Sequence, residues 1–113
     1  MIRKFHYIAL VLLASLSMSL PASASEWTFQ DVERVVAISD IHGAYGAMVR
    51  TLQQAAVIDE DEAWSGGKTH LVIVGDILDR GPKSRQAMDL LMRLEGEAED
   101  AGGRVHVLIG NHE

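Results

Sequence analysis

The sequence predicts an α/β domain in which three short parallel strands alternate with two helices. Three observations predict it. Short apolar runs rich in Val and Ile recur three times, amphipathic stretches with helical spacing separate them, and glycine-containing turns bound the elements. Alternating strands and helices are typical of crossover units, which place parallel strands side by side and pack helices on the sheet. The predicted order is βαβαβ.

The predicted strands occupy residues 34–39, 69–74 and 104–109. The second contains four consecutive apolar residues, so we expect it to be buried on both faces, as strands of parallel sheets are. His70 and His106 lie inside predicted strands, and we expect ordinary packing or edge roles for both. A ligand of a functional site would instead follow a strand.

The predicted helices occupy residues 44–56 and 84–101, and both have an apolar stripe at spacings of three and four. Gly102 and Gly103 are expected to end the second helix. We also expect Trp27, Trp64 and Met92 to pack in or near the core. The two stripes consist of Tyr45, Met48, Val49, Leu52 and Ala56 in the first helix and of Ala87, Met88, Leu91, Leu94 and Ala98 in the second.

The first residues have the layout of a secretory signal peptide. Arg3 and Lys4 precede an uncharged apolar run over residues 7–16, and small residues ending in Ala22-Ser23-Ala24 follow it. We therefore predict a signal peptide over residues 1–24 and a domain over residues 25–113. An uncleaved anchor is the alternative, but spanning a bilayer takes roughly 20 apolar residues. We expect a secreted or periplasmic protein with no stable membrane anchor after cleavage.

The composition excludes several function classes. The chain has 113 residues and no cysteine, which rules out disulfides, thiolate metal sites and a cysteine nucleophile. Its 16 acidic and 10 basic side chains give a formal charge of −6. A nucleic-acid partner is not expected, because affinity for a phosphate backbone needs Lys and Arg.

A short polar segment follows each predicted strand. Because the carboxyl ends of parallel strands lie at one edge of a sheet, we expect the three segments to meet there. Clustered carboxylates repel one another unless cations balance them. Oxygen and imidazole ligands without thiolate suit Mn, Fe or Zn. The segments contribute Asp40, His42, Asp76, Asp79, Arg80, Asn111 and His112.

Arg80 indicates what kind of molecule this cluster binds. A guanidinium group matches the geometry of phosphate bidentately. Metal ligands beside an arginine, without a cysteine nucleophile, indicate metal-assisted hydrolysis of a phosphate ester by water. Individually, these Asp, Asn and His residues could be turn and cap residues instead. Their shared position after successive strands favours the site.

The motifs resemble those of a known family. Asp40-Ile41-His42, GDxxDRG at residues 75–81 and GNHE at residues 110–113 resemble the calcineurin-like metallophosphoesterases. GDxxDRG followed by GNHE is similar to the phosphoprotein phosphatase branch, and residues 64–67 and 84–91 resemble the bacterial Shewanella-like phosphatases most. The resemblance covers residues 35–113. It implies that the βαβαβ unit is the first half of a two-sheet α/β/β/α sandwich.

The resemblance also implies a dinuclear metal site. Asp40 and His42 are similar to ligands of the first of two divalent ions, Mn, Fe or Zn. Asp76 resembles the carboxylate that bridges both ions, and Asn111 a ligand of the second. The resemblance implies that a hydroxide bridging the metals attacks phosphorus. It also implies a phosphomonoester substrate, with phosphoprotein as a candidate.

Three further residues resemble the catalytic groups of the family. His112 is similar to the acid that protonates the leaving alkoxide, Asp79 to the carboxylate that holds it, and Arg80 to the phosphate-binding arginine. We expect Glu113 to have a supporting or structural role.

The match departs from the family in two ways. Ile109 stands where animal and plant Ser/Thr phosphatases usually carry Arg. The family also takes two further histidine ligands and another arginine from segments beyond the GNHE motif. We therefore expect an N-terminal part of the domain that is inactive by itself. The alternatives are a dinucleotide polyphosphate hydrolase of the same superfamily and a non-catalytic truncated product.

Overall fold

The computed structural model describes residues 27–113, so the predicted signal peptide lies outside the described residues. The element order confirms the predicted βαβαβ arrangement. Each strand is shorter than predicted, because pairing stops where the chain turns into the polar segments. The elements are β1 (Val35–Ile38), α1 (Tyr45–Gln54), β2 (His70–Ile73), α2 (Ser84–Asp100) and β3 (Arg104–Val107).

The sheet has the order β1-β2-β3, and both neighbouring pairs are parallel. Val35 pairs with His70, and His70 in turn pairs with Arg104, so the three strands begin and end level with one another. The two crossovers run in the same direction across the sheet, and the two helices contact each other. Both helices therefore cover one face, and the three strand ends share one edge.

The core lies between the helices and this face of the sheet. Leu52 of α1, Leu71 and Ile73 of β2 and Leu94 of α2 have no exposed surface. Burying such a side chain contributes about 1.5–3 kcal/mol. The predicted helical stripes are therefore largely confirmed.

Three residues of the predicted helices that we expected in or near the core are exposed. Met88 is 39% exposed and Met92 is 64% exposed, because the buried stripe of α2 instead includes Leu90. The two methionines consequently lie on the flank of the helix. Ala56 is exposed as well, since α1 ends at Gln54 and the backbone of Ala56 has already turned to a positive φ of 51°.

Gly102 and Gly103 end α2 as predicted. Gly102 has a φ of 82°, in the left-handed region that glycine tolerates best. Its N–H donates to the carbonyl of Glu99, and the N–H of Gly103 donates to the carbonyl of Ala98. This is the Schellman pattern, which satisfies carbonyls that the helix end would otherwise leave unpaired.

The second face of the sheet is only partly covered, so the prediction that β2 is buried on both faces is wrong. Leu71 and Ile73 point into the core, whereas His70 and Val72 are half-buried on the opposite face. No helix packs there in the described part of the chain. Trp27, expected in the core, is 80% exposed. No helix within residues 27–113 is long and apolar enough to cross a membrane.

Candidate metal centre

The loops after β1 and β2 are joined by backbone hydrogen bonds. The N–H of His42 donates to the carbonyl of Asp76 at 2.8 Å, and the N–H of Gly81 donates to the carbonyl of His42 at 2.7 Å. These bonds hold the first predicted metal-binding segment against the second. The expectation that the segments meet at one edge of the sheet agrees with this geometry.

Two pairs of glycines allow this close approach. A Cβ atom on Gly43 would overlap the backbone of Gly81, and a Cβ atom on Gly75 would overlap the backbone of Gly110. The first pair lies between the loops after β1 and β2, and the second between the loops after β2 and β3. Larger residues at these four positions would force the loops apart.

Most of the candidate residues have an unusual backbone conformation. A positive φ in a residue other than glycine costs of order 1–3 kcal/mol, and such residues cluster at ligand sites. The surrounding loop contacts must offset this cost. The candidate residues with positive φ are Asp40 (52°), His42 (44°), Asp76 (54°), Asp79 (66°) and Arg80 (67°).

The His42 ring is oriented by a backbone group. Its Nδ1 lies 2.9 Å from the carbonyl oxygen of Leu78, so Nδ1–H donates there and Nε2 is left with a free lone pair. Nε2 lies 3.9 Å from Oδ2 of Asp40. Metal-binding histidines are commonly held by a bond of this kind on the other nitrogen. The sequence showed no sign of the contribution of Leu78, because the contact uses a backbone atom.

Asp76 lies at the centre of the cluster. Its Oδ1 accepts the backbone N–H of His112 at 3.0 Å, which ties the loop after β3 to the loop after β2. One candidate ligand atom from each of His42, Asp76 and His112 lies within 4.8 Å of the others. Imidazole and carboxylate donors at this spacing fit a divalent ion such as Mn, Fe or Zn. Asp40 adjoins the group through its contact with His42.

His112 faces a carboxylate on its other side. Its Nδ1 lies 3.2 Å from Oδ2 of Asp79, and its ring packs edge to face against the His42 ring at a centroid distance of 4.8 Å. An Nδ1–H bond to a carboxylate selects the tautomer that leaves Nε2 facing outward as an acceptor.

Arg80 and Asn111 are exposed at the same edge. Among the described residues neither side chain has a hydrogen bond or ion pair with another side chain. Arg80 follows Asp79 directly, and Asn111 precedes His112 directly. Both side chains are therefore free to contact a ligand, although the described contacts do not bring either into the cluster.

Glu113 is more closely tied to the site than its sequence position indicated. Its carboxylate accepts the backbone N–H groups of Asp76 at 2.8 Å, Ile77 at 2.6 Å, Leu78 at 3.3 Å and Gly110 at 2.7 Å. Desolvation raises the pKa of Glu113, but these four bonds outweigh it and lower the pKa to about 2. We call this set of four bonds the Glu113 clamp. Its only sequence signal was a carboxylate three residues after Gly110.

Comparison with known proteins agrees with the fold. The family model described as calcineurin-like phosphoesterase matches residues 33–113. This chain belongs to the calcineurin-like phosphoesterase family. The predicted resemblance to that family is therefore confirmed.

The similar proteins include several phosphatases. The chain is 42% identical over 85 residues to Shewanella-like protein phosphatase 2 of Arabidopsis thaliana, covering 75% of this chain and 22% of the relative. The crystal structure of a cold-active protein-tyrosine phosphatase of a psychrophilic Shewanella species matches with a TM-score of 0.71 and 43% identity, covering 73% of this chain and 25% of that one. The parallel sheet and its helices thus match half of a metallophosphoesterase fold, as predicted.

A second group of relatives is named for activity on nucleotides. The chain is 40% identical over 77 residues to an asymmetrical bis(5'-nucleosyl)-tetraphosphatase of Bacillus velezensis, covering 66% of this chain and 28% of the relative. In these comparisons the chain spans between about a fifth and three tenths of the length of its relatives.

Proposed function

We propose that this chain supplies the N-terminal part of the active site of a metal-dependent phosphatase that hydrolyses phosphomonoesters, phosphoproteins among them. The observation that carries the proposal is the meeting of His42, Asp76 and His112, with candidate ligand atoms within 4.8 Å of one another. The phosphatase names of the relatives support the same activity.

Asp40, His42, Asp76 and Asn111 would hold the two divalent ions. When bound, such ions supply Lewis-acid stabilisation of negative charge on a phosphoryl group. The protein's part is to orient the ligands. The carbonyl of Leu78 directs His42, and the bond from the N–H of His112 directs the Asp76 carboxylate.

His112, Asp79 and Arg80 would handle the substrate. Asp79 accepts Nδ1–H of His112, so a proton on Nε2 can be given to the leaving alkoxide while the carboxylate stabilises the charged ring. The exposed guanidinium of Arg80 would bind two phosphate oxygens in parallel.

A dinucleotide polyphosphate hydrolase is the second candidate, because an asymmetrical tetraphosphatase is 40% identical to the chain. Both reactions would use the same ligands, and the groups that select a nucleotide or a protein substrate would lie elsewhere. We further propose that residues 1–113 alone have near-background turnover, since the chain spans only about a quarter of the length of the Shewanella phosphatase.

Metal binding tests the site directly. Calorimetric titration of the chain with Mn²⁺ should show binding that Asp76→Asn abolishes, while Asp100→Asn, an exposed carboxylate at the end of α2, should leave it intact. Equal binding by all three proteins would contradict the assignment of Asp76.

Substrate preference is tested with the longest reading frame that contains these residues. It should hydrolyse a chromogenic phosphomonoester and a phosphopeptide in the presence of Mn²⁺, and the first 113 residues alone should not. Exclusive hydrolysis of diadenosine tetraphosphate would favour the second candidate. Robust turnover by residues 1–113 would contradict the proposal that this part is inactive.

We also propose that the protein is exported, on the basis of the charged, apolar and small-residue segments within residues 1–24. In a bacterial host the product should appear in the periplasm with Ser25 at its amino terminus. A product that stays in the membrane fraction with Met1 intact would support the uncleaved anchor instead.

A further inference from the structure

Helix α1 begins directly after the loop that contains Asp40 and His42, yet its first turn lacks the usual local stabilisation. Ala44 occupies the N-cap position, and its methyl side chain cannot accept an N–H group of the first turn as Ser, Thr, Asp or Asn would. The first turn also contains no acidic residue. A helix of ten residues is marginal by itself. Contacts elsewhere in the fold must therefore fix where α1 begins.

Tyr45, the first residue of α1, makes such a contact. Its hydroxyl donates to Oε2 of Glu62, which lies 17 positions later in the loop between α1 and β2. This hydrogen bond, together with burial, raises the pKa of Tyr45 above its ordinary value of 10. The hydroxyl therefore keeps its proton and remains a donor near neutral pH.

Glu62 is in turn fixed to α2. It has a positive φ of 60°, a conformation that residues other than glycine keep only where surrounding contacts hold it. The guanidinium of Arg93 donates to the carbonyl oxygen of Glu62 at 3.0 Å and to Oε1 of Glu97 at 2.7 Å. Oε2 of Glu97 accepts the backbone N–H of Trp64 at 2.8 Å, a bond that lowers the pKa of Glu97. The acceptor of the Tyr45 hydroxyl is thereby held against α2.

The start of α2 contacts the loop after β1 from the other side. Lys83, just before α2, donates its backbone N–H to the carbonyl of Gly43 at 3.2 Å, and the N–H of Gly81 donates to the carbonyl of His42 at 2.7 Å. Arg93 follows Lys83 by ten residues, about 15 Å along the helix. The contacts therefore form a closed circuit that starts and ends at the loop after β1 and passes through both helices.

We propose that the hydrogen bond between Tyr45 and Glu62 positions the imidazole of His42, because it fixes the start of α1 three residues after that ligand. Tyr45 is a positioning residue, since its hydroxyl acts on the site through the backbone of residues 42–45. Without the bond, α1 would be less constrained relative to α2, and Nδ1–H of His42 would lose its alignment with the carbonyl of Leu78. The inference rests on the proposed function in taking His42 as a metal ligand, whereas the orientation of the ring does not depend on that role.

Nuclear magnetic resonance of the metal-free chain tests the orientation, and calorimetric titration with Mn²⁺ tests its consequence. In Tyr45→Phe, which removes only the hydroxyl, Nδ1–H of His42 should exchange faster with water, and the imidazole nitrogen signals should shift towards those of mixed tautomers. Mn²⁺ should bind about tenfold more weakly, as is typical when a group that orients a metal ligand is lost. Thr51→Val removes a different hydroxyl bond of α1, that to the carbonyl of Ala47, and should change neither measurement.

Two variants of Glu62 separate this hydrogen bond from general loosening of the loop. Glu62→Gln keeps an acceptor oxygen for the Tyr45 hydroxyl and should preserve both measurements, whereas Glu62→Ala should reproduce the effects of Tyr45→Phe. Unchanged His42 signals in Tyr45→Phe, or equal effects of the two Glu62 variants, would overturn the proposal. If Tyr45→Phe does not fold, the Glu62 variants decide. If the wild-type chain binds no Mn²⁺, the proposed metal site fails, while the His42 signals still decide the positioning role.

Discussion

The Oε1 atom of Glu113 accepts the backbone N–H of Ile77 at 2.6 Å, which joins the last residue of the chain to the loop that follows β2. The same carboxylate accepts the N–H of Asp76, whose side chain lies at the centre of the candidate metal cluster. Glu113 thereby holds the backbone of Asp76, whose side chain is the central candidate ligand.

Glu113→Gln should weaken the metal centre without changing the fold. The amide keeps one acceptor oxygen but puts N–H groups where the second carboxylate oxygen was, so some of the backbone donors lose their partner. We expect a lower melting temperature and weaker Mn²⁺ binding, measured by calorimetry. Glu95→Gln, an exposed carboxylate on α2, is the matched control. Indistinguishable behaviour of the two variants would rule out the clamp.

The metal-free protein should lose stability in acid through Glu113. Its folded pKa of about 2 lies below the ordinary 4.5, so the carboxylate form is favoured by folding. The contribution is fully present above pH 4.5 and is lost as the pH falls from there towards 2. Denaturant unfolding across this range should therefore show a smaller acid dependence in Glu113→Gln. An unchanged acid dependence would assign the effect to other carboxylates.

Gly75→Ala should disturb the site more than its backbone conformation alone explains. Gly75 and Gly67 both have positive φ, 86° and 56°, so alanine costs about 1 kcal/mol at either position. Only at Gly75 would the new methyl group also overlap a backbone, that of Gly110, whereas nothing lies within 4 Å of Gly67. Gly75→Ala should therefore lower both stability and Mn²⁺ affinity, and Gly67→Ala only the former. Equal effects would show that the loops can move apart freely.

Leu94→Ala should cost about 2–5 kcal/mol of unfolding free energy, because it leaves a cavity in the core. Leu94 has no exposed surface, whereas Met92, two residues earlier on α2, is 64% exposed. Met92→Ala should consequently cost far less in the same denaturant titration. A large loss at Met92 would indicate that its flank of the helix is covered in solution.

The alternation of the elements could be predicted from the sequence because it depends on local signals: apolar period, turn residues and the glycines after α2. The candidate residues could be named from the sequence because they lie in the polar segments that follow the three strands. Met88 and Leu90 show where this approach fails. They are two positions apart on the same helix, and which of them faces the core depends on where the sheet lies.

The sequence by itself determined the order of strands and helices and the residue types that reach the carboxyl edge of the sheet, because period and turn chemistry act over a few neighbouring residues. The tertiary structure decided how those residues work together. The bond of His42 to Leu78, the clamp of Glu113 on Asp76 and the contact of His106 with His70 each join residues 36 or 37 positions apart. Such contacts form only once the parallel strands align, and no local pattern in the chain encodes them.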